Sequence, residues 1–156
     1  MKPTPPGWPR LSVSVNYDDP HAAIDWLCNA FGFEVRIKVE GEDGTIHHSE
    51  LTFGEALVMV SGTNGTEPWQ KSFKSPKSLG GATTQSLALF VDDVDAHHAQ
   101  AIRAGASIVR EPNTNDYGAE YWSDRSYGVH DPEGHLWWFM QRIRTSSEQE
   151  RLFKKP

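Results

Sequence analysis

The chain has a single cysteine, Cys28, among its 156 residues, so no internal disulfide can form. The count fits a reducing compartment, and Cys28 itself reads as a small packed side chain. One domain's length is enough to bury a core without such staples. No apolar run approaches the roughly 18 residues that a membrane span needs, and the amino-terminal MKPTPPGWPR lacks the apolar stretch of a signal peptide. The expectation is a cytoplasmic protein with no membrane partner. Basic charge is scarce too. Between residues 10 and 141 nine Lys/Arg stand against nineteen Asp/Glu, and the whole chain carries a formal charge of −6. Such a surface repels nucleic acid and mildly attracts cations.

What remains is an ordinary globular composition, 37% hydrophobic and 23% charged, with six tryptophans. Indoles supply either core area or a flat stacking surface.

The sequence is written twice. Shifting it by 74 positions lays VSVNYDDPHAAIDWLCNAFGFEVR, which starts at Val13, on LALFVDDVDAHHAQAIRAGASIVR, which starts at Leu87, without a gap. Asp18/Asp92, Asp19/Asp93, Ala22/Ala96, Ala30/Ala104, Val35/Val109 and Arg36/Arg110 coincide. Each copy has an alternating strand, an acidic turn that can cap a helix, and a helix stopped by Gly32 or Gly105. In the first copy Ala23, Ile24, Leu27 and Phe31 form the apolar stripe, and Pro20 suits the first turn. The second helix is expected over Ala96–Ala104.

Strand-like runs follow each helix: 34–39, 46–53 and 56–61 in the first half, 107–110, about 125–130 and 135–141 in the second. Asp-Pro-Glu-Gly at 131–134 suits a type I turn, which makes HDPEGHLWWFM a closing hairpin. A Gly/Ser/Thr/Pro/Lys-rich linker at 62–83 joins module one, about 10–61, to module two, about 84–141. A polar tail spans 142–156, where Thr145-Ser-Ser-Glu148 has the form of a capping box.

Two βαβββ modules with acidic turns, AFGF after the first helix, VDDVDA before the second and DPEGH before the last strand resemble the vicinal oxygen chelate superfamily. This is the glyoxalase/bleomycin resistance/dioxygenase group, and the likeness covers roughly residues 10 to 141. It implies an α+β fold, with a curved mixed sheet around a cavity, helices outside, and a homodimer. Leu11, Val13, Val15 and Leu87, Leu89, Val91 then cover the helices, while Ser12, Ser14, Asn16 and Ser86, Ala88, Phe90 line the interior.

Members of that group commonly hold a divalent metal with His and Glu on the first and last strands of each module. Carried over by position, those places fall on Ser12, Ser86, Val58 or Met59, and Trp138. Hydroxyls, a thioether and an indole cannot replace imidazoles and carboxylates. The expectation is therefore no metal and no other cofactor.

In the same frame Trp138 faces the cavity and Trp137 the helix layer. Trp122 and Tyr121, in the loop before the penultimate strand, are placed to close a mouth, and Trp69 lies in the linker. Asn16, His48, Glu50 and Arg125 are the polar groups that could orient a ligand. The candidate ligand-binding set is thus Trp138, Phe90, Asn16, His48, Glu50, Trp122, Tyr121, Arg125, Met59, Ser12 and Ser86. These residues suit a metal-independent small-molecule binding protein of the antibiotic-sequestering, bleomycin-resistance kind, whose ligand is planar or cationic. The alternative is a glyoxalase-like lyase or isomerase, with a metal relocated to His48, Glu50 and His130 or with Glu50 or His48 as general base. His97 and His98 are expected on a helix surface, and His135 carries no signal.

Overall fold

The computed structural model describes residues 1–147, and the chain divides into two compact units. Unit 1 comprises residues 1–83 together with 132–135; unit 2 comprises 84–131 and the chain from 136. Unit 1 runs β1 (Val13–Tyr17), α1 (Pro20–Phe31), β2 (Glu34–Glu40), β3 (Ile46–Phe53) and β4 (Ala56–Gly62). Unit 2 runs β5 (Ser86–Phe90), α2 (Val94–Arg103), β6 (Ser107–Asp116), β7 (Trp122–His130) and β8 (Leu136–Thr145). Each unit is one βαβββ module with a four-stranded mixed sheet, ordered β1-β4-β3-β2 or β5-β8-β7-β6. The first and last strands of each module pair in parallel and the others antiparallel.

The helices begin and end where local chemistry directs. The Asp19 carboxylate accepts the Ala22 amide at 3.0 Å, Pro20 opens α1, and Gly32 closes it in the left-handed region at φ 78°. That conformation costs a side chain with a Cβ and costs glycine little. Ala23, Ile24, Leu27, Ala30 and Phe31 form its buried face. Asp93 caps α2 on the Ala96 amide at 3.0 Å, so this helix starts at Val94, earlier than the alanine pattern suggests. Cys28 is half-buried; burial, then the nearby Asp25 carboxylate, pushes its thiol up and disfavours the thiolate.

Each helix covers one face of its sheet. In unit 1 that face carries Val15, Tyr17, Leu51, Val58 and Val60, all under 4% exposed. Leu11, expected there, precedes β1 and is 85% exposed; Tyr17, two residues beyond Val15, takes the third place. In unit 2 the covered face carries Leu87, Leu89, Tyr127, Val129, Trp137 and Phe139. The Trp137 indole N–H donates to buried Asp131 at 3.0 Å, satisfying the one polar atom of a fully buried ring.

His97 and His98 depart from their expected surface role. The His97 ring lies 4.1 Å from Phe139, with Nδ1 2.7 Å from the Tyr127 hydroxyl, and His98 meets Tyr127 edge-on. Burial pushes the Tyr127 phenol well above its ordinary range.

Three strands outrun their expected bounds. β6 extends to Asp116, and β7 begins at Trp122, so that indole stands on a strand instead of in the preceding loop. β8 continues to Thr145, taking residues 142–145 out of the expected tail. The arginines that gave this segment a tail-like composition are held in ion pairs, Arg142 with Asp124 and Arg144 with Asp116. The backbone pairing therefore runs on through Ser123↔Arg144 and Trp122↔Thr145. Glu148, the far member of the capping pattern, lies outside the described residues.

The DPEGH turn does more than reverse the chain. In unit 1 the Glu133 carboxylate accepts the backbone amides of Asp18 and Asp19 at 2.7 and 2.8 Å, and is 7% exposed. His135, 3% exposed, places Nε2 2.9 Å from the Asn16 carbonyl and its ring against Tyr17. A buried amide deprived of its acceptor costs about 1–3 kcal/mol. Glu133→Ala leaves two partly buried amides, those of Asp18 and Asp19, without this acceptor and should cost about 1–3 kcal/mol in all. Glu133→Gln keeps one acceptor oxygen and should cost roughly half of that. Chemical denaturation at neutral pH checks both, and an unshifted midpoint for the alanine variant would show that these amides need no carboxylate.

Candidate functional site

The sheet face that each helix leaves uncovered gathers most of the candidate residues, and the two faces differ in character. In unit 2, strand parity places Ser86, Ala88 and Phe90 of β5 beside Leu136, Trp138 and Met140 of β8. Across β8 the partners are His130, Gly128 and Ser126. Trp138 pairs with Gly128, and the missing side chain is what lets the indole lie there: a Cβ on Gly128 would stand 2.8 Å from Trp138 Cζ3. Trp138 thus faces away from α2 while Trp137 faces it.

At the far end of this face Arg142 sits between two rings, its guanidinium carbon 5.3 Å from the Phe90 centroid and 5.3 Å from that of Trp122. Its Nε donates to Asp124, whose side chain is only 8% exposed. Trp122 is flanked by Tyr117 and Tyr121, so Tyr121 joins the cluster through the indole and is itself half exposed.

The open face of unit 1 is polar. Ser14 pairs with Met59 and Asn16 with Ser61, and the Asn16 side-chain oxygen is buried without a hydrogen-bond partner. Of the two residues weighed for the third carried-over place, Met59 is the one on this face; Val58 turns to the helix and is 3% exposed. Glu50, 3% exposed, has one oxygen 2.9 Å from His48 Nε2 and the other 3.0 Å from Arg36 Nε. Arg36 also lies over the Trp8 ring and donates to the Gly7 carbonyl, so the amino-terminal segment helps hold the carboxylate's partner. A cavity of about 740 Å³ is lined by Ser14, His48 and Ser61 from the sheet and by Asn64, Trp69 and Phe73 from the connection. Trp69 therefore caps a hollow, edge-on to Phe73.

Most candidates fall on an open face: Phe90, Trp122, Trp138 and Ser86 in unit 2, with Tyr121 against Trp122, and Asn16, His48, Glu50 and Met59 in unit 1. Ser12 lies just before β1, two residues from Ser14. Arg125 is the correction. It shares parity with Tyr127 and Val129, points to the helix side, and grips Asp95 of α2 with Nε at 2.9 Å and Nη2 at 2.6 Å. This grip holds the Asp95 carboxyl below its usual range. Arg142 and Arg36 were missed. The signal for Arg142 was present, since Trp138, Met140 and Arg142 continue one alternation.

The positions that the resemblance assigned to metal ligands hold Ser12 and Met59 in unit 1 and Ser86 and Trp138 in unit 2, side chains whose hydroxyl, thioether and indole groups do not suit a divalent ion. For the relocated centre, His48 and Glu50 do meet, but among the described residues no three His, Cys, Asp or Glu side chains are grouped to hold a metal. Asp131, next to His130 in the chain, is engaged by the Trp137 indole.

Comparison with known proteins agrees with this geometry. The family model described as Glyoxalase/Bleomycin resistance protein/Dioxygenase superfamily matches residues 11–139. An uncharacterized protein of Mycobacterium bovis is 35% identical over 144 residues, 91% of this chain and 89% of the relative. Among solved structures, TioX from Micromonospora sp. ML1 is 36% identical with a TM-score of 0.65, over 85% of this chain and 98% of that one. The fosfomycin resistance protein FosX of Listeria monocytogenes, solved with Mn(II) and 1S,2S-dihydroxypropylphosphonic acid, is 14% identical. It has a TM-score of 0.57 over 90% and 92% of the two chains, and shares the fold alone.

Gly128→Ala tests the seat of the indole. The added methyl forces Trp138 off the strand, and overpacking of this kind costs about 1–3 kcal/mol. Denaturation midpoints and the near-ultraviolet circular dichroism of the variant should both shift; parent-like values would mean the indole does not rest on Gly128.

Proposed function

Since the chain belongs to the Glyoxalase/Bleomycin resistance protein/Dioxygenase superfamily, we propose that it is a small-molecule binding protein that captures a planar organic compound without a resident metal. The ligand stacks on Trp138, with Phe90 and Trp122 as further walls, and capture is stoichiometric, as in antibiotic sequestration. The observation that carries this reading is the open face of unit 2. An indole resting on a glycine, on the face turned away from α2, offers a flat apolar surface and an N–H donor at a position that the resemblance assigns to a metal ligand. The donor set at the carried-over places supports the metal-independent form.

A second reading draws on one contact. His48 Nε2 against the buried Glu50 carboxylate is the arrangement that fixes a histidine tautomer and leaves Nδ1 as an acceptor. On that reading the protein is an enzyme in which His48 removes a proton from a substrate in the 740 Å³ cavity.

Equilibrium dialysis with 2-naphthamide, a neutral planar probe, separates the two. Saturable binding at one site per chain is expected. Removing the central aromatic of a binding site costs about 2 kcal/mol or more, so Trp138→Ala should weaken binding at least about 30-fold while His48→Ala leaves it unchanged. Binding that survives Trp138→Ala and falls with His48→Ala would favour the second reading.

A further inference from the structure

We infer that the ligand of the Trp138 face is an aromatic anion, a planar ring system bearing a carboxylate, and that Arg142 takes the charge. This rests on the stacking role proposed for Trp138 and specifies the chemistry of that same face. It also reverses the expectation drawn from overall charge, in which the acidic surface favours a cation.

The first observation is position. Arg142 is on the same strand and face as Trp138, four residues along. At the strand rise their Cα atoms stand about 13 Å apart. An arginine side chain spans part of that distance, and the remainder suits a ring system of one or two fused rings.

The second is the way the guanidinium is held. The Phe90 and Trp122 rings each lie 5.3 Å from its guanidinium carbon, within cation–π range, and help hold the group in place. Asp124, nearly buried, takes the Nε edge. The two Nη groups have no hydrogen-bond partner among the described residues, and the side chain is 34% exposed. A guanidinium held by two rings and along its Nε edge presents the rest of its fork, which matches a carboxylate in shape as well as charge.

The third is what the arrangement excludes. A cationic ligand that came to stack on Phe90 or Trp122 would find a cation already on those rings. Cation–π capture at this end of the face is therefore spent internally, and the like charge repels a second cation. Asp124 offsets part of the arginine's charge. The expected preference for an anion is consequently about tenfold and not larger, in keeping with a pair that already has a partner.

Isothermal titration at low ionic strength with three probes of one shape tests this: 2-naphthoate, 2-naphthamide and N-methylquinolinium. The wild-type protein should bind naphthoate about tenfold tighter than naphthamide and quinolinium weakest, with the naphthoate advantage shrinking as salt is raised. Arg142→Gln should bring naphthoate down to the naphthamide value, and Arg142→Lys should restore only part of the difference because it returns the charge without the fork. The probe comparison on the unaltered chain stands even if the variants fold poorly. Naphthamide binding as tightly as naphthoate, or quinolinium binding tightest, overturns the role of Arg142 while leaving the stacking face intact. Failure of all three probes to bind, or binding insensitive to Trp138→Ala, overturns the stacking proposal on which this inference is built.

Discussion

One helix has to serve four strands in each module. A helix can bury one face of a sheet, and the alternation of side chains along a strand then assigns every residue to the covered face or the open one. Val15, Tyr17 and Val60 in unit 1, with Leu89, Trp137 and Phe139 in unit 2, take the covered side. Their neighbours Ser14, Asn16, Met59, Ala88, Trp138 and Met140 are left on the other. No candidate residue on these faces needs a special conformation to reach its place, because the burial of its neighbour puts it there.

The open faces show how the charge of the chain is managed. The molecule is acidic overall, yet the two best-buried carboxylates on these faces are each matched to an arginine, Glu50 to Arg36 and Asp124 to Arg142. A buried carboxylate without such a partner would be expensive. The arginines are in turn held by rings, Trp8 for Arg36 and Phe90 with Trp122 for Arg142. In both units a carboxylate, a guanidinium and an indole form one construction, and the surplus of acidic residues elsewhere says little about the chemistry of the faces.

Local features were the most legible in the sequence. Asp19 and Asp93 cap the helices and Gly32 ends the first because each acts on its own backbone within a turn. The split between Trp137 and Trp138 was legible for the same reason, since period 2 needs only neighbours. Arg125 was misassigned because its charge was weighed ahead of its parity with Tyr127 and Val129, which already turned it toward Asp95. Arg142 was lost to composition: a basic run looks like a tail until its partners Asp124 and Asp116 are known to lie on β7 and β6 of the same sheet. Glu133 and His135 had no local signature, because the groups they bind, the amides of Asp18 and Asp19 and the carbonyl of Asn16, are more than a hundred residues away.

The opposite orientation of the two adjacent tryptophans is the claim on which the proposed binding face stands. Deuterium exchange of the indole N–H groups, followed by nuclear magnetic resonance with Trp137→Phe and Trp138→Phe for assignment, reads it directly. The Trp137 signal should exchange slowly, since its N–H donates to buried Asp131 beneath the helix, and the Trp138 signal should be lost rapidly. A slowly exchanging signal that disappears in Trp138→Phe, with Trp137 quick to exchange, would contradict the account.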